Sequence, residues 1–344
     1  MTVTKLMPGG DTVTRLVPGG DTVTRLQPGG DTVTRLQPGG DTVTRLSPSP
    51  KARGGASDAF QEKVEGTTAT DTALVAWWSP NGADAGNLST GDTVMRMMST
   101  TEENPDIKAR VKDAGDWKIV EDNIGSSTSL TSAVEANEQR RVESPYEDSF
   151  CGLDSTVSLG TKLDEILGGD DGVTHSGFVF FKPAANVYFQ DILVFRGDDS
   201  SGQTSNYTST FSIRFVGNSP WDSNKPVLSL GTNTTFNKRI VLQDTFESDK
   251  WWYIAWRMTS RSGTSSAFTI YAVKADGNDD WSDVVSGSHT FDVGFGTGLT
   301  FGHESSHSAD DQDGWRWGPI GLFMGDIGVG DSDTTLKTIF EAID

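Results

Sequence analysis

The chain has 344 residues, with 28 Lys and Arg against 48 Asp and Glu, and a formal net charge of −20 at pH 7. So acidic a balance opposes DNA or RNA binding and favours solubility, a saline medium or calcium. Cys151 is the one cysteine, which excludes an internal disulfide. No apolar run approaches membrane-spanning length, and the first residues lack a basic segment followed by an apolar one, so neither membrane insertion nor a classical signal peptide is expected.

The chain opens on a repeat. Residues 11–40 read D-T-V-T-R-L-[VQ]-P-G-G three times, residues 2–10 are a variant copy, and residues 41–46 are a fifth core that breaks off at Ser47. A looser echo follows at residues 91–97. Near-identity at a fixed period marks a repeat element of 1–46. Thr-Val-Thr-Arg-Leu has extended propensity and Pro-Gly-Gly is a break. In an extended unit Val13 and Arg15 fall on one side, with Thr12, Thr14 and Leu16 on the other. One decamer offers about two apolar side chains and cannot build a core by itself. The repeat is therefore expected to bury Val and Leu against something else. Docking along a repeating partner, winding of several chains into a fibre shaft, and a disordered tail all satisfy that requirement. In the docking reading Thr-Val-Thr-Arg-Leu adds to a partner's sheet edge. The contact residues are then Val13, Arg15, Leu16, Val23, Arg25, Leu26, Val33, Arg35, Leu36, Val43, Arg45 and Leu46. Linked weak contacts gain from effective concentration. In the shaft reading the chain is a homo-oligomer, such as a trimer.

Residues 47–57 are rich in Ser, Pro, Gly and Ala and read as a linker. Residues 58–151 carry sparse, irregular hydrophobics and predict an irregular α+β connector. Its expected pieces are a helical turn over 58–65, a strand over 72–78, a short helix over 105–119 and a weak helix ending the stretch 126–141.

From Gly152 the texture changes to short runs of Val, Ile, Phe, Tyr and Trp between Gly, Asp, Ser and Asn turns. Strands are predicted over 177–181, 188–195, 208–216, 226–230, 239–243, 251–258, 267–274, 299–302 and 321–327, with a short terminal helix over 334–343. In one of them Tyr253, Ala255 and Arg257 oppose Ile254 and Trp256. Many short antiparallel strands without helical crossovers imply a β-sandwich. The fold class is thus mainly β: a C-terminal antiparallel β-sandwich of jelly-roll type over 152–344, preceded by the extended decapeptide-repeat arm and the connector.

Three stretches resemble the concanavalin A-like and laminin-G-like jelly rolls. These are W-W-Y-I-A-W-R at 251–257, F-T-I-Y-A-V-K-A-D-G at 268–277, and L-T-F-G at 299–302 together with G-L-F-M-G-D-I-G-V-G at 321–330 and the terminal segment 335–342. The resemblance implies a sugar- or protein-binding module. The same fold houses glycosidases, which need two closely placed carboxylates. The E-x-D-x-x-E strand of that group is missing here, Glu247 and Asp249 sit in a predicted turn, and Asp191 stands alone, so no catalytic residue is assigned.

Trp281, Trp315 and Trp317 with Asp310 and Asp313 are the candidate glycan-binding rim, since indoles stack on sugars and carboxylates bond their hydroxyls. The plainer reading packs those indoles under loops. Asp280, Asp283, Asp310, Asp311 and Asp313 are candidate calcium ligands, calcium being a hard cation that takes several oxygens. Solvated acidic turns are the plainer alternative. His303 and His307 lie near Glu304 and Asp310 but match no strong zinc spacing. Arg196-Gly197-Asp198 is too short to carry weight, and Cys151 lacks a catalytic setting.

Arm, connector and sandwich together look like a virion structural protein of a tailed bacteriophage, made in the host cytoplasm. Its expected partners are capsid or tail proteins through the repeats and host-surface polysaccharide through the sandwich. The alternative is an extracellular bacterial lectin or adhesin, or a glycoside hydrolase of the same fold.

Overall fold

The computed structural model describes the Thr-Val step of each decamer and residues 59–66, 74–81, 86–100, 107–111, 116–125, 127, 129–137, 150–153, 160–168, 171–184, 190–196, 211–216, 227–232, 239–243, 247–263, 265–276, 280–292, 298–302, 314–327 and 335–343. The chain divides into two units, 1–58 and 59–344.

In the first unit the elements are β1 (Thr2–Val3), β2 (Thr12–Val13), β3 (Thr22–Val23), β4 (Thr32–Val33) and β5 (Thr42–Val43). β1, β3 and β5 pair in parallel, and so do β2 and β4. Thr stands opposite Thr and Val opposite Val in each pair. Successive decamers thus alternate between two small sheets, and the chain returns to the same sheet every second unit. Within the chain, like units supply one another's edges at the Thr-Val steps. The Arg and Leu positions of the repeat lie outside the described residues.

The second unit runs α1 (Ala59–Glu65), β6 (Leu74–Ser79), β7 (Gly86–Leu88), β8 (Thr93–Thr100), β9 (Ala109–Val111), β10 (Asp116–Glu121), β11 (Ser132–Asn137), β12 (Phe150–Leu153), α2 (Thr161–Gly168), β13 (His175–Lys182), β14 (Gln190–Arg196), β15 (Phe211–Val216), β16 (Val227–Thr232), β17 (Arg239–Gln243), β18 (Trp252–Ser262), β19 (Ser265–Lys274), β20 (Val285–Asp292), β21 (Gly298–Gly302), β22 (Trp315–Met324) and α3 (Thr335–Phe340). One sheet runs β20-β19-β18-β13-β22. The far edge of β22 is shared by β6 at one end and by β11, then β10 and β7, at the other. The second sheet runs β17-β16-β15-β14-β21-β12-β9. β8 joins the two, pairing with β6 through Arg96–Thr100 and with β9 through Thr93 and Met95. All these pairings are antiparallel, and the fold is a jelly-roll-like β-sandwich.

The stretch 58–151 is therefore not a separate connector. Its strands complete both sheets, and the helices expected over 105–119 and 126–141 are β9, β10 and β11. Lys118 and Val120 share one face of β10 while Trp117 takes the other, a period of two that the charged composition obscured.

Strand alternation builds two cores. Ile254, Trp256, Val179, Phe181, Trp315 and Trp317 point between the sheets. Tyr253, Ala255, Phe178, Phe180 and Phe323 point the other way and are covered by helices. Phe60 and Val64, one helical turn apart on α1, and Leu336, Ile339 and Phe340 of α3 supply that cover. Glycine is demanded where an aromatic crosses its neighbour strand: a Cβ on Gly177 would lie 2.3 Å from the Trp256 ring and 2.6 Å from the Gly321 carbonyl oxygen.

Candidate functional site

On the helix-covered face of the first sheet, the cross-strand register lines up four charged side chains. Lys118 of β10 stands opposite Glu135 of β11, Glu135 opposite Arg316 of β22, and Arg316 opposite Lys182 of β13. Their neighbours Trp117, Val134, Ala136, Trp315, Trp317 and Phe181 face the inter-sheet core. Strand alternation therefore forces the four charges outward together.

Each charge in the row is engaged. Lys118 Nζ lies 2.6 Å from Glu135 Oε1, and Arg316 Nε donates to Glu135 Oε2 at 2.5 Å. Arg316 Nη1 and Lys182 Nζ both donate to Asp122 Oδ2, at 2.5 and 2.9 Å. Burial alone would raise the Asp122 carboxyl. Hydrogen bonds from Arg316 and Lys182, and their charges, outweigh it and hold the group below the usual carboxylate value. Burial works against the Arg316 charge too, but bonds to Asp122 and Glu135 raise its pKa. A carboxylate held ionised in this way is a hydrogen-bond acceptor and not a general acid near neutral pH. The Glu135 side chain is 5% exposed, whereas those of Arg316 and Lys118 are 28% and 30% exposed. The row thus offers solvent fixed guanidinium and ammonium donors over a buried carboxylate.

Trp251 lies beside it. Lys182 Nζ sits 5.9 Å from the centre of the Trp251 ring, a cation–π distance. The ring is buried, and its Nε1 has no hydrogen-bond partner among the described residues. An indole donor left so costs about 1–3 kcal/mol unless water or a ligand oxygen satisfies it.

The residues singled out by sequence have other places. Trp315 and Trp317 are fully buried, with Trp317 Nε1 donating to the Ile192 carbonyl oxygen at 3.0 Å. Phe181 packs on both indoles, at 5.2 and 5.5 Å between ring centres. They are core residues and not a sugar-stacking rim, because Trp315 and Trp317, on either side of the outward-facing Arg316, face the second sheet. Trp281 is half-buried against Tyr253, Tyr271 and Phe340 and so pins a 3-10 turn (Trp281–Asp283) onto α3. Asp280 and Asp283 cap that turn reciprocally: Asp280 Oδ1 accepts from the Ser282 amide at 2.6 Å and Asp283 Oδ2 from the Asp280 amide at 3.2 Å. Each carboxylate thus has a partner within the turn itself. Asp310, Asp311, Asp313, His303 and His307 lie outside the described residues. Among the described residues no group of three or more His, Cys, Asp or Glu is placed to hold a metal ion. Nor is any helix among them long and apolar enough to cross a membrane. Glu247 pairs with Lys274 at 3.3 Å, and Asp249 takes a positive φ of 60° in the turn expected for it.

Sequence reading missed His175. It is 1% exposed, stacks on Phe195 at 5.1 Å, and its Nδ1 accepts from Trp256 Nε1 at 3.2 Å. Burial, then the Arg261 charge, push its pKa down to about 3. A lone His on a polar-looking strand start carried no signal of this role.

No family model matches the chain, and no curated protein matches it. Among solved structures it is similar to domain 4 of AbnA, a GH43 extracellular arabinanase from Geobacillus stearothermophilus, in complex with arabinotriose. The identity is 12%, with 80% of this chain and 100% of that one covered, at a TM-score of 0.42. An arabinofuranosidase complexed with arabinofuranosyl-alpha-1,2-xylobiose gives 11% identity, 82% and 64% coverage, and a TM-score of 0.40. The botulinum neurotoxin serotype C1 binding domain gives 9%, 77% and 53%, and 0.39, so the chain spans about half of that domain's length. At these scores the likenesses assign no role to any residue of this chain.

Proposed function

We propose that this chain is a non-catalytic, extracellular glycan-binding protein of lectin or adhesin type, with the sandwich as its recognition module. The observation that carries the reading is the row Lys118–Glu135–Arg316–Lys182 with Asp122, beside the Trp251 indole N–H. Mutual ion pairs hold the donors in place before a ligand arrives, so little side-chain freedom is lost on binding. Fixed guanidinium and ammonium donors suit sugar hydroxyls and carboxylates, and the buried Trp251 ring beneath Lys182 helps to hold that ammonium in place.

Calorimetric titration of the full chain against neutral and acidic polysaccharides tests this. Saturable binding that weakens at least tenfold in Lys182→Ala and in Trp251→Phe, with near-ultraviolet circular dichroism unchanged, supports it. Absence of binding across the panel, or binding indifferent to both changes, rejects it.

A second reading has the chain as a structural component of a tailed-phage particle, anchored by its repeats to capsid or tail proteins. The like-on-like pairing of the Thr-Val steps favours it, because such a stack is a building element and not a recognition surface. Presence of the chain in purified particles, and its loss from them when residues 2–46 are deleted, supports that reading. Unchanged incorporation of the deleted chain rejects it.

A further inference from the structure

The Thr-Val steps of the repeats present an edge as well as a stack. Thr2, Thr22 and Thr42 stand opposite one another in parallel register, as do Val3, Val23 and Val43. Thr12–Val13 faces Thr32–Val33 in the same way. Among the described residues every strand pair in this unit joins identical residues, so the surface that fits one step is another copy of the step. A strand has two hydrogen-bonding edges. β3 uses both, pairing with β1 and β5. Among the described residues β4 and β5 each pair on one side, and so do β1 and β2. The run of repeats stops inside the chain: Pro48 keeps the place of Pro38, but Ser49-Pro50 stands where the repeat has Gly-Gly, and Lys51-Ala52-Arg53 where it has Asp-Thr-Val. Proline has no N–H with which to continue a ladder. Among the described residues no further Thr-Val step of the same chain follows β5 in the stack.

We propose that the β4–β5 end of the repeat stack is an interaction surface for a second copy of this chain, entered by that copy's β1 and β2. The alternation sets the register. β1, β3 and β5 make one sheet and β2 and β4 the other, so the next strand in the series belongs on β4 and the one after it on β5. The second copy's β1 adds to β4, bringing Thr2 opposite Thr32 and Val3 opposite Val33. Its β2 adds to β5, bringing Thr12 opposite Thr42 and Val13 opposite Val43. The three-stranded sheet of one copy continues into the two-stranded sheet of the next, and the copies interlock by half a step. The junction is heterologous, head to tail, and so propagates into an open filament unless a rotation closes it. It does not depend on the sandwich binding a glycan.

The test uses the full-length chain. Analytical ultracentrifugation over two decades of concentration is expected to show dimers and larger species that disappear when residues 2–46 are deleted. Register is read by cross-linking in a Cys151→Ala background. Neighbouring strands lie about 4.8 Å apart, within the roughly 4.4–6.8 Å that a disulfide spans between Cα atoms. Mixing Val43→Cys with Val13→Cys chains, and Val33→Cys with Val3→Cys chains, is expected to give mixed disulfide dimers at least tenfold above a control of Val43→Cys with His289→Cys. Three outcomes overturn the proposal: a monomer at every concentration, oligomers that survive deletion of the repeats, or cross-linking no greater than the control. Glycan titration of the deleted chain is a separate readout and stays unchanged on this proposal.

Discussion

The repeats and the sandwich solve the same problem, pairing strand edges, at opposite ranges in sequence. In the repeats each step pairs with its copy twenty residues along, Thr2 with Thr22. In the sandwich His175 pairs with Met324, and Ser176 Oγ donates to the Gly325 carbonyl oxygen at 2.9 Å across 149 residues. Short loops close at small entropic cost and let units be added or removed. Long-range pairing makes the sandwich cooperative, because β22 at the end of the chain holds β13, β11 and β6 together. The contrast teaches that damage should stay local in the first unit and spread through the second.

The largest expected effect comes from the inter-sheet core. Trp256 packs its ring against Gly177, bonds His175 and meets Phe195 edge-on at 5.9 Å. Trp256→Ala is expected to cost about 3–5 kcal/mol, seen as a lower denaturant midpoint for the whole of 59–344 in tryptophan fluorescence. A midpoint unchanged by the substitution would remove the claim of a single cooperative core.

Acid is the next way to separate the two units. His175 is neutral in the folded state down to about pH 3, whereas in the unfolded chain it takes a proton near pH 6.5. Its contribution is thus intact above pH 6.5 and is lost as pH falls from there towards 3. Stability is expected to drop by about 1.4 kcal/mol per pH unit across most of that window. Asp122 acts in the same direction at lower pH, since its folded pKa lies below the unfolded value. The repeats contain no His, and each decamer from residue 11 onward pairs one Asp with one Arg. Urea titrations at stepped pH check this, and His175→Phe should flatten the slope between pH 6 and 4.

Arg316→Ala should cost about 2 kcal/mol, because it leaves the buried Glu135 with Lys118 as its remaining cation. Arg316→Lys should recover less than half, since an ammonium cannot bridge Asp122 and Glu135 as the guanidinium fork does. Thermal melts of the two variants, with Asp122→Asn as a third, measure the coupling.

The smallest expected effect sharpens the comparison most. Deleting residues 21–40, two decamers, removes one full return to each sheet and should change the sandwich midpoint by less than about 0.5 kcal/mol. A large shift would mean that the two units fold as one.

Much of the sandwich was legible because its strands alternate cleanly. β13 to β19, β21 and β22 each overlap a predicted strand, though the stretch predicted from 321 marks only the end of β22. Tyr253 and Ala255 face one core and Ile254 and Trp256 the other, as the alternation required. β20 was missed because V-S-G-S-H-T-F-D is polar and turn-like, and it pairs only because β19 offers it a long edge. β9 to β11 were read as helical from their Lys, Arg and Glu content. Pairing with β12, β7 and β22 overrode that local preference.

The candidate site was the least legible part. Lys118, Asp122, Glu135, Lys182 and Arg316 are scattered over 199 residues, and nothing local marks them as one group. Trp315 and Trp317, beside an acidic stretch, looked like surface aromatics, and the face of β22 on which they lie depends on which sheet packs against it.

By itself the sequence determined most strands of 152–344, the two faces of those that alternate cleanly and the ten-residue unit, since period and side-chain type are local properties. Only the tertiary structure decided that the repeat returns every twenty residues, that 58–151 belongs to the sandwich, and which charges meet in one row. Those follow from edge pairing between distant segments, and a backbone edge carries no record in sequence of the strand that will satisfy it.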